Sequence, residues 1–204
     1  SGLAPRGGTF AGAATGRFMK IEAGWGSYWR KWRGTTAGGP PRVSNEEIFW
    51  SWIGAFLGIG TLALVGASWV APHELSLIIG SFGASAVLLY GAPRSPLAQP
   101  RNVLGGHVIS ALVGVICWQL LGTIPGLAQA TAVASAIALM HLTRTLHPPG
   151  GATALIVTLG SPQVQKMGFW FVLMPAAIGP LFLLLVALVV NNLPRSRRYP
   201  EIWF

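Results

Sequence analysis

Aspartate is absent from this chain of 204 residues, and glutamate occurs only as Glu22, Glu46, Glu47, Glu74 and Glu201. So few carboxylates, all near segment ends or outside them, leave no pair for general acid–base work. The chain also lacks a phosphate-binding loop of the Walker type and a persuasive nucleophile, so neither an enzyme nor an ATP-driven pump is expected. Cysteine occurs once, as Cys117 inside an apolar run. That excludes a disulfide framework and a thiolate metal cluster, and leaves a small packed residue. No metal and no cofactor is expected. Charge is scarce too, at 9% of residues against about 25% in an ordinary soluble domain.

What the chain has instead is 52% hydrophobic residues, 27 glycines and 15 prolines, the composition of closely packed membrane helices with interrupted segments. The expected fold class is all-α, a polytopic membrane helix bundle, and the lipid bilayer is its first partner. A net charge of +9 would suggest nucleic acid in a soluble protein. Here it reads as topology, and no nucleic acid is expected.

Residues 1–47 form a basic, aromatic, Gly-rich tail in which Trp25, Tyr28, Trp29 and Trp32 sit among Arg30, Lys31 and Arg33. Such interleaving suits the headgroup layer of an anionic membrane. The start at Ser1, with no apolar core after it, reads as a processed end. Residues 48–192 form the membrane domain, and 193–204 a basic C-terminal tail. Six apolar segments are expected: Ile48–Ala71, Leu75–Gly91, Val103–Leu121, Leu127–Leu142, Gly151–Gly160 and Gly168–Val190. At ~1.5 Å per residue the first and last cross a ~30 Å hydrocarbon layer, whereas Leu75–Gly91 and Gly151–Gly160 are short. If all six cross, Lys166 alone of the 14 Lys and Arg residues faces the side opposite the others. A segment Gly151–Gly160 that dipped in and returned would carry Arg195, Arg197 and Arg198 across and weaken that asymmetry, so six crossings with both ends on the basic side is the better topology.

The stretch LHPPGGATAL, Leu146–Leu155, breaks the apolar second half with adjacent prolines and adjacent glycines and then resumes as a helix. Backbone polar groups freed by such a break survive in hydrocarbon only inside protein or along a cavity, so the break marks a site. The two short segments resemble each other, with Gly83-Ala84-Ser85-Ala86 matched by Gly151-Ala152-Thr153-Ala154. This suggests a 3+3 inverted repeat, because three crossings per half reverse the orientation of the second. The competing reading is two independent small-residue packing faces.

Three separated stretches, Gly80–His107, Leu146–Leu155 and Asn191–Trp203, resemble the HPP family of integral membrane proteins, whose His-Pro-Pro stands here at His147, Pro148 and Pro149. The resemblance covers roughly residues 46 to 204. It implies a plastid or cyanobacterial setting, the chloroplast inner envelope first, and movement of nitrite. The residues lend that implication separate support, since helix N-termini bind small anions through free N–H groups. On this reading His147, Gly150, Gly151, Thr153, Ser81 and Ser85 form the binding site of a small inorganic anion, with His147 as the proton-linked group. Arg94, Arg101 and Arg144 form a basic vestibule or simply mark loop ends. His147 as a structural cap is an equal alternative, and His107 and His141 read as packing or interhelical hydrogen-bond residues, in reserve for the proton-linked role. A different class of function also fits: a structural subunit docked to other membrane subunits through Trp25, Trp29 and Trp32.

Overall fold

The computed structural model describes residues 25–32, 38–39, 41–67 and 79–203. These residues divide into two units, 1–42 and 43–204. The described part of the first unit holds α1 (Trp25–Trp32), on which the exposed rings of Tyr28, Trp29 and Trp32 pack with centroids 5.2 to 6.0 Å apart. The side chain of Trp25 lies outside the description, as do His73 and Glu74.

The regular elements of the second unit among its described residues are all helical, the α-helices being α2 (Asn45–Val65), α3 (Gly80–Ala86), α4 (Pro100–Leu121), α5 (Leu127–Leu142), α6 (Pro148–Leu159), α7 (Pro162–Met167), α8 (Trp170–Leu173) and α9 (Ile178–Val190). Among the described residues, α2, α4 and the run Trp170–Val190 are long and apolar enough to cross a membrane. At 12 residues, α6 rises only ~18 Å. The last expected segment is not one continuous helix, because Met174–Ala177 separates α8 from α9. Pro175 supplies no backbone donor there.

Local chemistry sets the helix starts. Ser44 caps α2 by accepting the Glu47 N–H at 3.1 Å, and Glu46 and Glu47 lie in the first turn, where acidic side chains oppose the helix dipole. Pro100 opens α4, and Pro148 and Pro149 open α6. Their missing N–H groups fall where a helix has no internal acceptor, so the double proline removes no helical hydrogen bond.

Small residues let the helices approach closely. Gly106, Ser110 and Gly114 repeat at i, i+4 and i+8 along α4 and face α6. A Cβ on Gly106 would lie 2.5 Å from that of His147, and one on Gly114 would lie 3.0 Å from the Ala154 carbonyl oxygen. On α2, Gly54 and Gly58 leave room for the Tyr90 ring, whose hydroxyl donates to the Leu183 carbonyl at 2.9 Å. Tyr90 sits in a π-helical turn, Val87–Gly91, that prolongs α3. A side chain serves that wider turn, since Asn191 Nδ2 donates to the Leu89 carbonyl at 2.9 Å.

The C-terminal tail closes back on the bundle. Arg197 is buried and donates to Glu47 Oε1 at 2.7 Å, to Ser51 Oγ at 2.9 Å and to Asn191 Oδ1 at 2.9 Å. Two residues on, the Tyr199 hydroxyl donates to the Ala98 carbonyl at 2.7 Å. Burial holds that phenol above its ordinary pKa, so it remains a donor. Arg197, read from sequence as one of three cations marking a topology, is thus a structural residue, while Arg195 and Arg198 are exposed.

Candidate functional site

Short helix α3 crosses the start of α6 where both lie against α4. Because Ser81 and Ser85 are one helical turn apart, both hydroxyls fall on the same face of α3. Ser81 Oγ is 2.9 Å from Thr153 Oγ1, and Ser85 Oγ is 2.8 Å from His147 Nε2, which pairs the first turn of α3 with the second turn of α6 and its end with the α6 N-cap. The two helices therefore pass in opposite directions. From α4, His107 reaches between them, with Nε2 2.8 Å from Ser85 Oγ and Nδ1 2.7 Å from Thr153 Oγ1. His147 Nδ1 completes the set by donating to the Leu97 carbonyl at 2.8 Å, in the short 3₁₀ turn Pro96–Ala98.

The result is one continuous hydrogen-bonded line through Ser81, Thr153, His107, Ser85 and His147. All five side chains are buried, His107, His147, Ser85 and Thr153 completely. The imidazole rings meet edge to face, with centroids 5.1 Å apart, and Phe82 covers the outer side of His107 at 5.2 Å. Every nitrogen and hydroxyl in the line has a partner. Among the described residues Gln129 Oε1 alone is buried and unpaired, and it belongs to α5.

Of the residues expected from sequence, Ser81, Ser85, Thr153 and His147 come together here. Gly150 and Gly151 do not face the line. A Cβ on Gly150 would meet Ser110 Oγ at 2.7 Å and the Gly106 carbonyl oxygen at 2.8 Å, so Gly150 lets α6 pack onto α4. Gly151 has room, its nearest neighbour being Val133 Cγ1 at 3.9 Å. Close approach to a neighbouring helix thus occurs at Gly150 and not at Gly151.

The three arginines expected to share a vestibule divide between two clefts. Arg94 donates to the Ser196 carbonyl at 2.6 Å and borders a cleft of about 420 Å³ together with Glu47 and Arg197. Arg101 donates to the Thr143 carbonyl at 2.7 Å, and with Arg144 and Trp203 it lines a separate cleft of about 170 Å³. Arg144 takes φ +57°, the left-handed position after a helix end where glycine is the usual residue, while Thr145 N–H returns to the Met140 carbonyl at 2.8 Å. His141 is exposed on α5 and stands apart from the line.

His107, read from sequence as a packing or interhelical hydrogen-bond residue, is found in the second of those roles, directly after Gly106 on the small-residue face of α4. One member of the arrangement was not singled out from sequence. The Leu97 carbonyl carries no side-chain signature at all.

The sequence profile of the HPP transmembrane region matches residues 40–200. The chain belongs to the HPP transmembrane family. Two transmembrane proteins of Dictyostelium discoideum are each 47% identical to it, one over 180 residues and the other over 181, in both cases 87% of this chain. The chain spans 57% and 63% of the lengths of those relatives. No solved structure matches it significantly. As an HPP family member with apolar helices of spanning length, it is an integral membrane protein in contact with the lipid bilayer.

Proposed function

We propose that this HPP protein moves a small monovalent anion of the size of nitrite across a plastid or cyanobacterial membrane, with the centre between α3, α4 and α6 on its path. The observation that carries the reading is the buried line itself. Two histidines and three hydroxyls drawn from three helices, deep in an apolar bundle, are costly to place in a membrane and typical of substrate or proton paths. A solute replacing any one partner meets ready donors. The proposed role is passage of solute and involves no covalent chemistry.

The same reading takes all six apolar segments as crossings arranged as a 3+3 inverted repeat. Three features support it. The N-caps of α3 and α6, Ile79 and His147, are both extended. Their first turns pass in opposite directions, as an axis in the membrane plane requires. Each short helix also packs on the long helix of the other half through a small residue, Gly150 of α6 against Ser110 of α4 and Gly179 of α9 against Phe82 of α3. The described conformation is closed at the centre, so passage proceeds by rocking one half against the other.

The second reading, a structural subunit of a larger membrane assembly, draws on that same closure, since a filled and fully paired break also suits a rigid scaffold. Uptake of nitrite, nitrate and formate into liposomes containing the purified chain separates the two. Uptake of at least one above empty liposomes is expected. Absence of all three favours the subunit.

A further inference from the structure

The start of α4 and the end of α5 are tied together, because Arg101 Nη2 donates to the Thr143 carbonyl at 2.7 Å and Asn102 Nδ2 donates to the Leu146 carbonyl at 2.9 Å. The C-terminal tail is fastened to the same place. Gln99 Oε1 accepts the Glu201 N–H at 2.9 Å and the Ile202 N–H at 3.4 Å, while Gln99 Nε2 donates to the Pro93 and Ser95 carbonyls. With Gln99 committed at both ends of its amide, the tail lies across the first turn of α4. Gln99, Arg101, Asn102, Arg144, Ile202 and Trp203 then line the cleft of about 170 Å³.

Arg144 is held in this frame with its charge unspent. Its backbone is fixed from both sides, Thr143 by Arg101 and Leu146 by Asn102. Its exposed side chain makes no hydrogen bond and no ion pair among the described residues. At φ +57° glycine is the residue that adopts the backbone most readily, so the helix end itself does not call for arginine. Nor do the last carbonyls of α5, since Arg101 already serves one of them. No carboxylate lines the cleft, and Glu201 joins the frame through its backbone N–H with an exposed side chain. Two guanidinium groups therefore share one small space with no anion from the described residues between them.

We propose that this cleft binds the phosphate of an anionic phospholipid headgroup, with Arg101 and Arg144 as its ligands and Trp203 beside it. Guanidinium forks match phosphate oxygens in geometry and in charge. The volume lies well below the roughly 300 Å³ at which pockets for larger organic ligands begin, and suits a headgroup. Its place is also that of a headgroup. Because α4 is long and apolar enough to cross a membrane, its first turn falls at the membrane–water boundary, where tryptophan gathers and basic pockets between helices meet anionic lipid. Ile202 and Trp203 on the cleft wall are exposed, as is Leu142, two residues before Arg144. These apolar surfaces suit the acyl chains of a lipid and offer nothing to a free phosphate ion. The assignment goes beyond the transport reading and stands whether or not a solute passes.

The full chain in detergent micelles is titrated separately with dioctanoyl phosphatidic acid, dioctanoyl phosphatidylcholine and inorganic phosphate, followed by native mass spectrometry and thermal unfolding. Retention of one phosphatidic acid per chain and a raised melting temperature are expected, with no effect of the other two at the same concentration. Arg144→Gly removes the unspent guanidinium and suits the left-handed backbone. It is expected to unfold no earlier than the native protein and to bind phosphatidic acid about 10- to 100-fold more weakly, the equivalent of one charge-assisted hydrogen bond. Arg144→Gln, which keeps a polar side chain, is expected to lose as much, and Arg198→Gln, exposed and outside the cleft, to bind as the native protein does. Native binding by both Arg144 variants, or an equal loss in Arg198→Gln, overturns the site. An equal effect of phosphatidylcholine overturns the requirement for an anionic headgroup. An equal effect of inorganic phosphate overturns the lipid and leaves a site for the free ion.

Discussion

Gly150 and Gly151 are neighbours in sequence and differ entirely in packing. A methyl group on Gly150 would run into Ser110 Oγ and the Gly106 backbone, whereas one on Gly151 would approach only Val133. Gly150→Ala is expected to destabilise the protein by about 1–3 kcal/mol through overpacking. Gly151→Ala is expected to be neutral or to stabilise by roughly 0.5 kcal/mol, since alanine is the better helix residue. Thermal unfolding of the two variants in detergent checks this, and equal melting temperatures would contradict it. The pair also shows what sequence conveys at this scale. Pro148-Pro149-Gly150-Gly151 marks a helix start plainly, because each residue type has a backbone consequence. Which of two glycines meets a neighbour depends on the rotation of α6 about its axis, and that is set by α4. His147 was legible as a candidate because it stands at the break. Its acceptor, the Leu97 carbonyl, was not, because any residue has a carbonyl and only the fold brings this one within 2.8 Å.

Among the elements, α5 was the best forecast, expected and found at Leu127–Leu142, because Gly126 on one side and Thr143 and Arg144 on the other bound its apolar run. The division of the final segment into α8 and α9 was missed. Its apolar residues run on across Met174–Ala177, and hydropathy does not register a turn made of Met, Pro and Ala. The C-terminal tail was also misjudged, since a cluster of arginines looks the same whether it faces water or is buried. Only Arg197 of the three turns inward, onto Glu47 at the start of α2. Arg197→Gln leaves Glu47 and Asn191 Oδ1 short of partners and is expected to destabilise by on the order of 3 kcal/mol, the usual effect of breaking a buried pair from one side. Exposed Arg198→Gln is expected to change stability by less than about 0.5 kcal/mol. Melting curves of the two proteins measure the difference, and equal values would show the clamp to be dispensable.

For the whole molecule, composition alone placed the chain in a membrane, and its motifs placed it in the HPP family. The identity of its cargo is written in neither. Recognition of a small anion needs only a few donors, and hydroxyls and imidazoles occur in many packed cores. What distinguishes this core is that its polar groups form a single file between two short helices and not scattered pairs, and that the file ends on a histidine held at a helix break. On the proposed reading His147 takes part in moving solute and proton and is more than a cap for the Leu97 carbonyl. Gln at position 147 retains a hydrogen-bonding side chain of similar reach and does not titrate. The direct measurement is nitrite uptake into proteoliposomes by native and His147→Gln protein across a series of imposed pH gradients. Uptake that rises with an inward proton gradient is expected in the native protein, and uptake that is slow and indifferent to the gradient in the variant. The same rate and the same pH profile in both would contradict it and leave His147 as a structural cap.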